Sequence, residues 1–451
     1  AEGSTWTALA GSDVVYPAGP HDAALTGREE RLEQGVGAGM GNYVQKDVTS
    51  ELEKKGEFDW MDFRLKFGCQ KKVTGLFRTQ LEDGIMGMDN RKGAFWIQLR
   101  EHYVQNGFVA QDHSDDASAN MASFDPSRFS LCYDRQPLST DLKSGVGSGA
   151  LTLGGTDSLL HKTDMVFASN ITPGGGWYSV RIKAVFLQTK GGTLSEPHQD
   201  SKSVKYLRVD AKEDVINGNS NKNRGVIIDS GTTDSYLPSG LKVAFEDAWK
   251  EALGGAGAIG YNNNPRVMTP EEVKSMPTIM FVLKGDQASN AMNDNNAVGM
   301  ASFHEHIFTS KNNPDNSISK SDIVVAVPPA HYMEESHKEP GKYTARIYFT
   351  ERHGAQSIMG SNFLMGHEVL FDNGWGRIGF AESHCNYSRY VEERDTMRQE
   401  QELLSQQQLA EEEEEGALSG VISQEEQEVE GNEGTQPNIN NDLAASGWAR
   451  I

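Results

Sequence analysis

The run Val226-Ile227-Ile228-Asp229-Ser230-Gly231-Thr232-Thr233, continuing to Asp234-Ser235-Tyr236-Leu237-Pro238, constrains this chain more than any other segment. Three β-branched residues in succession suit a short strand buried on both faces. That strand ends on an aspartate and runs directly into a glycine turn. The hydroxyls of Ser230 and Thr232 can hydrogen-bond the carboxylate, Gly231 lets the backbone come close to it, and Leu237-Pro238 closes the loop. Such a setting suits a carboxyl group whose protonation has to be controlled. An Asx turn after any strand begins the same way, but the length of the full run sets it apart.

Several other segments fall into an ordered series. Asp83-Gly84-Ile85-Met86-Gly87-Met88 comes first, followed by Gly149-Ala150-Leu151-Thr152-Leu153-Gly154-Gly155-Thr156-Asp157 and Trp177-Tyr178-Ser179-Val180. After the aspartate loop come Ile358-Met359-Gly360, Phe363-Leu364, Val369-Leu370-Phe371-Asp372 and Arg377-Ile378-Gly379-Phe380-Ala381. In this order the segments resemble the motifs of the pepsin-like aspartic proteases, over roughly residues 1–388. The resemblance implies a mainly-β, bilobal acid-protease fold. A partial N-terminal lobe would occupy 1–170, a C-terminal lobe with the catalytic loop 171–388, and an acidic tail 389–451.

The same resemblance assigns roles. Asp229 would be one of two catalytic aspartates acting on a shared water. Two carboxylates about 3 Å apart cannot both ionise, so one stays protonated while the other activates the water. Thr232 would hold the outer oxygen of Asp229, Ser230 would knit the two catalytic loops together, and Gly231 and Thr233 complete the loop. Ala1 to Trp6 resembles the tip of the family's flap, which puts Gly3 and Ser4 against substrate backbone. No second Asp-Ser/Thr-Gly precedes Asp83. The expectation is therefore an N-terminally truncated endopeptidase, inactive as this chain alone. The alternative is a pseudoprotease of the same fold that binds or inhibits peptides without cutting them.

Cys132 and Cys385 lie where membrane-anchored and plant-type members of the family carry a disulfide between the lobes, and the same bond is expected here. Cys69 is then left over, which suggests a missing partner. The sequons at Asn170 and Asn386 permit N-glycosylation. The setting implied is secretory, extracellular or vacuolar, with a monomeric enzyme acting on peptides or proteins and no cofactor. The formal charge of −22 is concentrated at the C-terminus. Residues 391–451 carry sixteen Asp/Glu against three Arg, a net of −13. The start of this tail, residues 390–409, has helical composition, and the rest is too polar to bury a core.

Other chemistries find little support. The histidines at 304, 306, 331 and 337 lack the spacing of a zinc site, so no metal is expected. Gly145 to Gly149 lacks the ending of a phosphate loop, no basic stripe suits nucleic acid, and no apolar run is long enough to span a membrane. Locally, residues 1–16 suggest a hairpin packed through Trp6 and Val14-Val15-Tyr16, and Phe63 to Phe67 a half-buried strand. Gly93 to Tyr103 and Leu241 to Leu253 suggest helices, the first with Phe95, Ile97 and Leu99 partly buried.

Overall fold

The computed structural model of the chain describes residues 6–15, 63–75, 84–106, 125–134, 149–190, 204–218, 225–255, 259–291, 309, 311–314, 316–336, 338–350 and 357–386. All of them belong to Ala1–Tyr387, the first of two compact units; the second is Ser388–Ile451. Gly3, Ser4, Asp83 and the acidic tail lie outside the described residues.

Strands dominate. The N-terminal part contributes β1 (Trp6–Val15), β2 (Phe63–Val73), β3 (Arg128–Tyr133), β4 (Gly149–Leu153) and β5 (Val166–Ser169). Next come β6 (Ser179–Val180), β7 (Ile182–Gln188), β8 (Tyr206–Arg208), β9 (Val226–Ile228), β10 (Ser235–Leu237) and β11 (Arg266–Val267). The remainder are β12 (Thr278–Leu283), β13 (Ile323–Val327), β14 (Met333–Glu335), β15 (Lys342–Ala345), β16 (Ile347–Phe349), β17 (Ile358–Met359), β18 (His367–Asp372) and β19 (Arg377–Glu382). Three helices matter for packing and the site: α1 (Phe95–Gln105), α2 (Lys242–Ala252) and α3 (Ser361–Leu364).

The centre is a four-stranded sheet in the order β13-β12-β7-β8. Every residue of β12 and β13 is buried, and the period of two divides β12 between two apolar layers. Ile279, Phe281 and Leu283 face the main core with Val185 and Leu187. Met280 and Val282 face a smaller cluster with Ala184, Phe186 and Val324. A five-stranded sheet, β4-β3-β18-β19-β5, ties residues from both halves of the sequence together. The Cys132–Cys385 disulfide forms across that sheet, closing a sequence separation of 253 residues.

Two local expectations change. Of the segment 1–16, where the sequence suggests a hairpin, the described residues 6–15 do not fold back on themselves: β1 pairs with β2, from Trp6↔Val73 to Val15↔Phe63. Local pattern reports that a segment is extended but not which strand completes its hydrogen bonds. In β2 Phe63 is buried in a small apolar cluster and Leu65 packs half-buried against it, while Phe67, the third apolar residue of the alternation, is exposed. Helix α1 is buried through Trp96, Leu99 and Tyr103, at the i, i+3, i+7 spacing of one helix face, while Phe95 and Ile97 are half-buried at its margin. Helix α2 buries Phe245, Ala248 and Trp249. It follows a 3-10 turn at Ser239–Leu241, whose Leu241 is buried.

Candidate active site

The aspartate loop hangs from the five-stranded sheet β16-β10-β17-β9-β6. Val226, Ile227 and Ile228 are buried, as the three β-branched residues suggested. Strand β9 pairs in parallel with β17, setting Ile227 against Ile358 and Ile228 against Met359. Asp229 N–H donates to Met359 O at 3.0 Å, so the residue that leaves the strand is still held by it. Its half-buried carboxylate accepts from Gly231 N at 2.9 Å and Thr232 Oγ1 at 2.7 Å. Among the described residues, no second carboxyl group hydrogen-bonds it.

The second half of the loop is clamped from α3. Ser361 N donates to Thr232 O at 2.7 Å, and Asn362 N and Ser361 Oγ donate to Thr233 O at 3.2 and 3.1 Å. Beneath it, Ser235 Oγ donates to Asn362 Oδ1 at 2.7 Å, and Gly360 N donates to Ser235 Oγ at 3.1 Å. This closeness explains the glycine of Ile358-Met359-Gly360. A Cβ at Gly360 would fall 2.2 Å from Asp234 O and 2.5 Å from Thr232 O.

Charge is concentrated one step further out. The Arg346 guanidinium bonds Asp234 Oδ1 at 2.7 Å and Glu334 Oε2 at 2.8 Å. Burial alone would lower the Arg346 pKa, but these two carboxylates outweigh it and hold it above the ordinary value. Its backbone takes part too: Arg346 O accepts from Asn362 Nδ2 at 2.9 Å and from Ser235 N at 3.2 Å. Asp234 to Tyr236 belong to the motif in the sequence. Arg346 and Asn362 carried no signal there, because each acts through a partner more than ten residues away.

Tyr133, the residue that follows Cys132 at the end of β3, lies within electrostatic reach of Asp229. Burial raises the Tyr133 pKa; of the smaller influences, Ser230 lowers it and the charge of Asp229 raises it.

The two apolar-apolar-Gly elements are placed differently. Met359 is buried in the sheet, whereas Ile85 and Met86 are 69% and 48% exposed. No described strand lies against residues 84–88 as β9 lies against β17. Asn170 is buried, and its Oδ1 accepts from Thr172 N and Ser179 N, both at 3.2 Å. Asn386 is half-buried, and Cys69 is a free, exposed thiol. Among the described residues no cluster of His, Cys, Asp and Glu is arranged to hold a metal, and no helix is long and apolar enough to cross a membrane.

The mainly-β fold built around this loop is that of the pepsin-like aspartic proteases. A family model, eukaryotic aspartyl protease, matches residues 62–383, and the chain belongs to that family. No curated protein sequence matches the chain.

Proposed function

We propose that Asp229 is one of the two catalytic carboxylates of an aspartic endopeptidase. The observation that supports this most is the hold on its carboxylate. Thr232 Oγ1 and Gly231 N fix the two oxygens from the protein side, at the end of a buried strand, in a chain whose family is proteolytic. A carboxylate held this way can accept a proton from water at a fixed point. In the proposed reaction, Asp229 and a second carboxyl group share one proton and one water. The water attacks the scissile carbonyl while the protonated carboxyl donates to the carbonyl oxygen, giving a tetrahedral intermediate without an enzyme-bound acyl group. The need to keep one carboxyl protonated sets the working range on the acid side, which fits a secretory or vacuolar compartment. Peptides and proteins are the substrates, a monomer suffices, and no step calls for a cofactor. Gly3 and Ser4 remain proposed flap residues.

A single Asp-Ser/Thr-Gly in the sequence favours a second reading, a pseudoprotease that binds extended peptides. The test is cleavage of an unfolded protein at acid pH by the product of the complete transcript, with and without pepstatin. Pepstatin-sensitive turnover is expected. Tight peptide binding without any cleavage would overturn the enzymatic reading in favour of the second.

A further inference from the structure

Thr232 decides where the Asp229 carboxylate points, because its Oγ1 holds Oδ2 from within the same turn. Whatever holds Thr232 and the residues after it therefore helps to aim the carboxylate. Ser361 contributes its N–H and its hydroxyl, which reach Thr232 O and Thr233 O. Arg346 contributes a guanidinium that is partly exposed to water. Asn362 differs from both, since it is buried and engages the loop with its backbone and both polar atoms of its side chain. Its N–H donates to Thr233 O at 3.2 Å, its Oδ1 accepts from Ser235 Oγ at 2.7 Å, and its Nδ2 donates to Arg346 O at 2.9 Å. Arg346 O accepts from Ser235 N as well, so α3, the loop exit and the residue before β16 meet in one junction around two buried side chains.

We propose that Asn362 is a positioning residue for Asp229, its buried amide fixing the far side of the turn on which Thr232 aims the carboxylate. This rests on the reading of Asp229 as a catalytic carboxylate, and it deepens that reading. The residue type follows from the partners. Ser235 Oγ already accepts from Gly360 N at 3.1 Å, so its proton needs an acceptor, while Arg346 O takes a second donor. An amide offers acceptor and donor in one planar group. Leucine would fill nearly the same volume but leave the serine hydroxyl buried without an acceptor. Aspartate would satisfy the serine and set its other oxygen against Arg346 O, where two acceptors repel. The packing leaves no slack between α3 and the loop. A Cβ at Gly360, just before α3, would already collide with Asp234 O and Thr232 O, so a shift of α3 moves Thr232 with it.

The test uses Asn362→Leu in the full-length protein. Hydrogen exchange is followed by mass spectrometry at the amides of Asp229, Thr232 and Ser235, which bond Met359 O, Asp229 O and Arg346 O. These amides are expected to exchange roughly tenfold faster in the variant, beyond any change at the amides of β12 in the central sheet. Asn362→Asp keeps the bond from Ser235 and gives the same comparison at smaller amplitude, roughly threefold, should the leucine variant fail to fold. An Asn362 that only fills the core would leave the ratio of loop to β12 exchange unchanged, and that result overturns the proposal. In turnover, Asn362→Leu is expected to lower kcat roughly tenfold with KM within about twofold of the parent, since the amide aims the carboxylate without touching substrate. A kcat equal to the parent's, or a loss confined to KM, also overturns it. The two readings fail separately: activity that survives Asp229→Asn defeats the role of Asp229, whereas the exchange ratio bears on Asn362 alone.

Discussion

Arg346 is the most consequential side chain outside the aspartate loop, and its removal gives a sharp test of how the loop is held. Arg346→Met keeps the stem and deletes the charge, leaving Asp234 and Glu334 facing each other without their cation. Breaking a fully buried pair costs about 3–5 kcal/mol because the orphaned charge stays buried. Here the side chains of Arg346 and Glu334 are 29% and 30% exposed, and only Asp234, at 12%, is well enclosed. Glu334 can turn to water and Asp234 cannot, so the expected cost is about 2 kcal/mol, below the buried limit. Asp234→Asn in the same background removes the stranded charge. The double variant is therefore predicted to lose less than the sum of the single variants, with a coupling of about 1 kcal/mol or more. Urea-induced unfolding of the four proteins at neutral pH measures this directly. Additivity within about 0.5 kcal/mol would show that Arg346 and Asp234 are not energetically joined, and the support of the loop by the Arg346–Asp234 ion pair would fail.

Thiol titration of the unreduced protein is expected to find one reactive cysteine, Cys69, before and after unfolding, since Cys132 and Cys385 are bonded. Replacing both bonded cysteines by serine should cost about 2–5 kcal/mol. Glycopeptide mapping after expression through a secretory route should show Asn170 unmodified, because its amide is buried and its oxygen already bonds two backbone N–H groups. For Glu213, burial pushes the carboxyl up, but the hydrogen bonds and charges of Lys183 and Arg181 outweigh it and leave the pKa below 4.5. That lowered pKa contributes stability which is fully present above 4.5 and is lost as pH falls through the folded-state value. Glu213→Gln should therefore lower the melting temperature at neutral pH, and the difference should shrink in strong acid.

The sequence made the strand-and-loop element legible because its signals are local. β-branched residues, an aspartate, a glycine and two hydroxyls follow one another without interruption, and the structure places Thr232 and Gly231 on the carboxylate. Met359-Gly360 was legible through its pattern, and the crowding at Gly360 gives that pattern its reason. The disulfide came from resemblance alone. What stayed hidden depends on distant partners. Pairing of β1 with β2 cannot be read from either strand, and nothing in the sequence around Arg346 announces that it will meet Asp234 of the aspartate loop. The exposure of Ile85 and Met86 was equally unreadable, since burial belongs to whatever packs on a segment and not to the segment itself.

Participation of the Asp229 carboxylate in peptide-bond hydrolysis is decided by comparing the full-length protein with its Asp229→Asn variant, using one unfolded protein substrate across the acid range. Turnover is expected to be abolished in the variant while its melting temperature stays within a few degrees of the parent. Cleavage that continues at the parent rate in Asp229→Asn would contradict it.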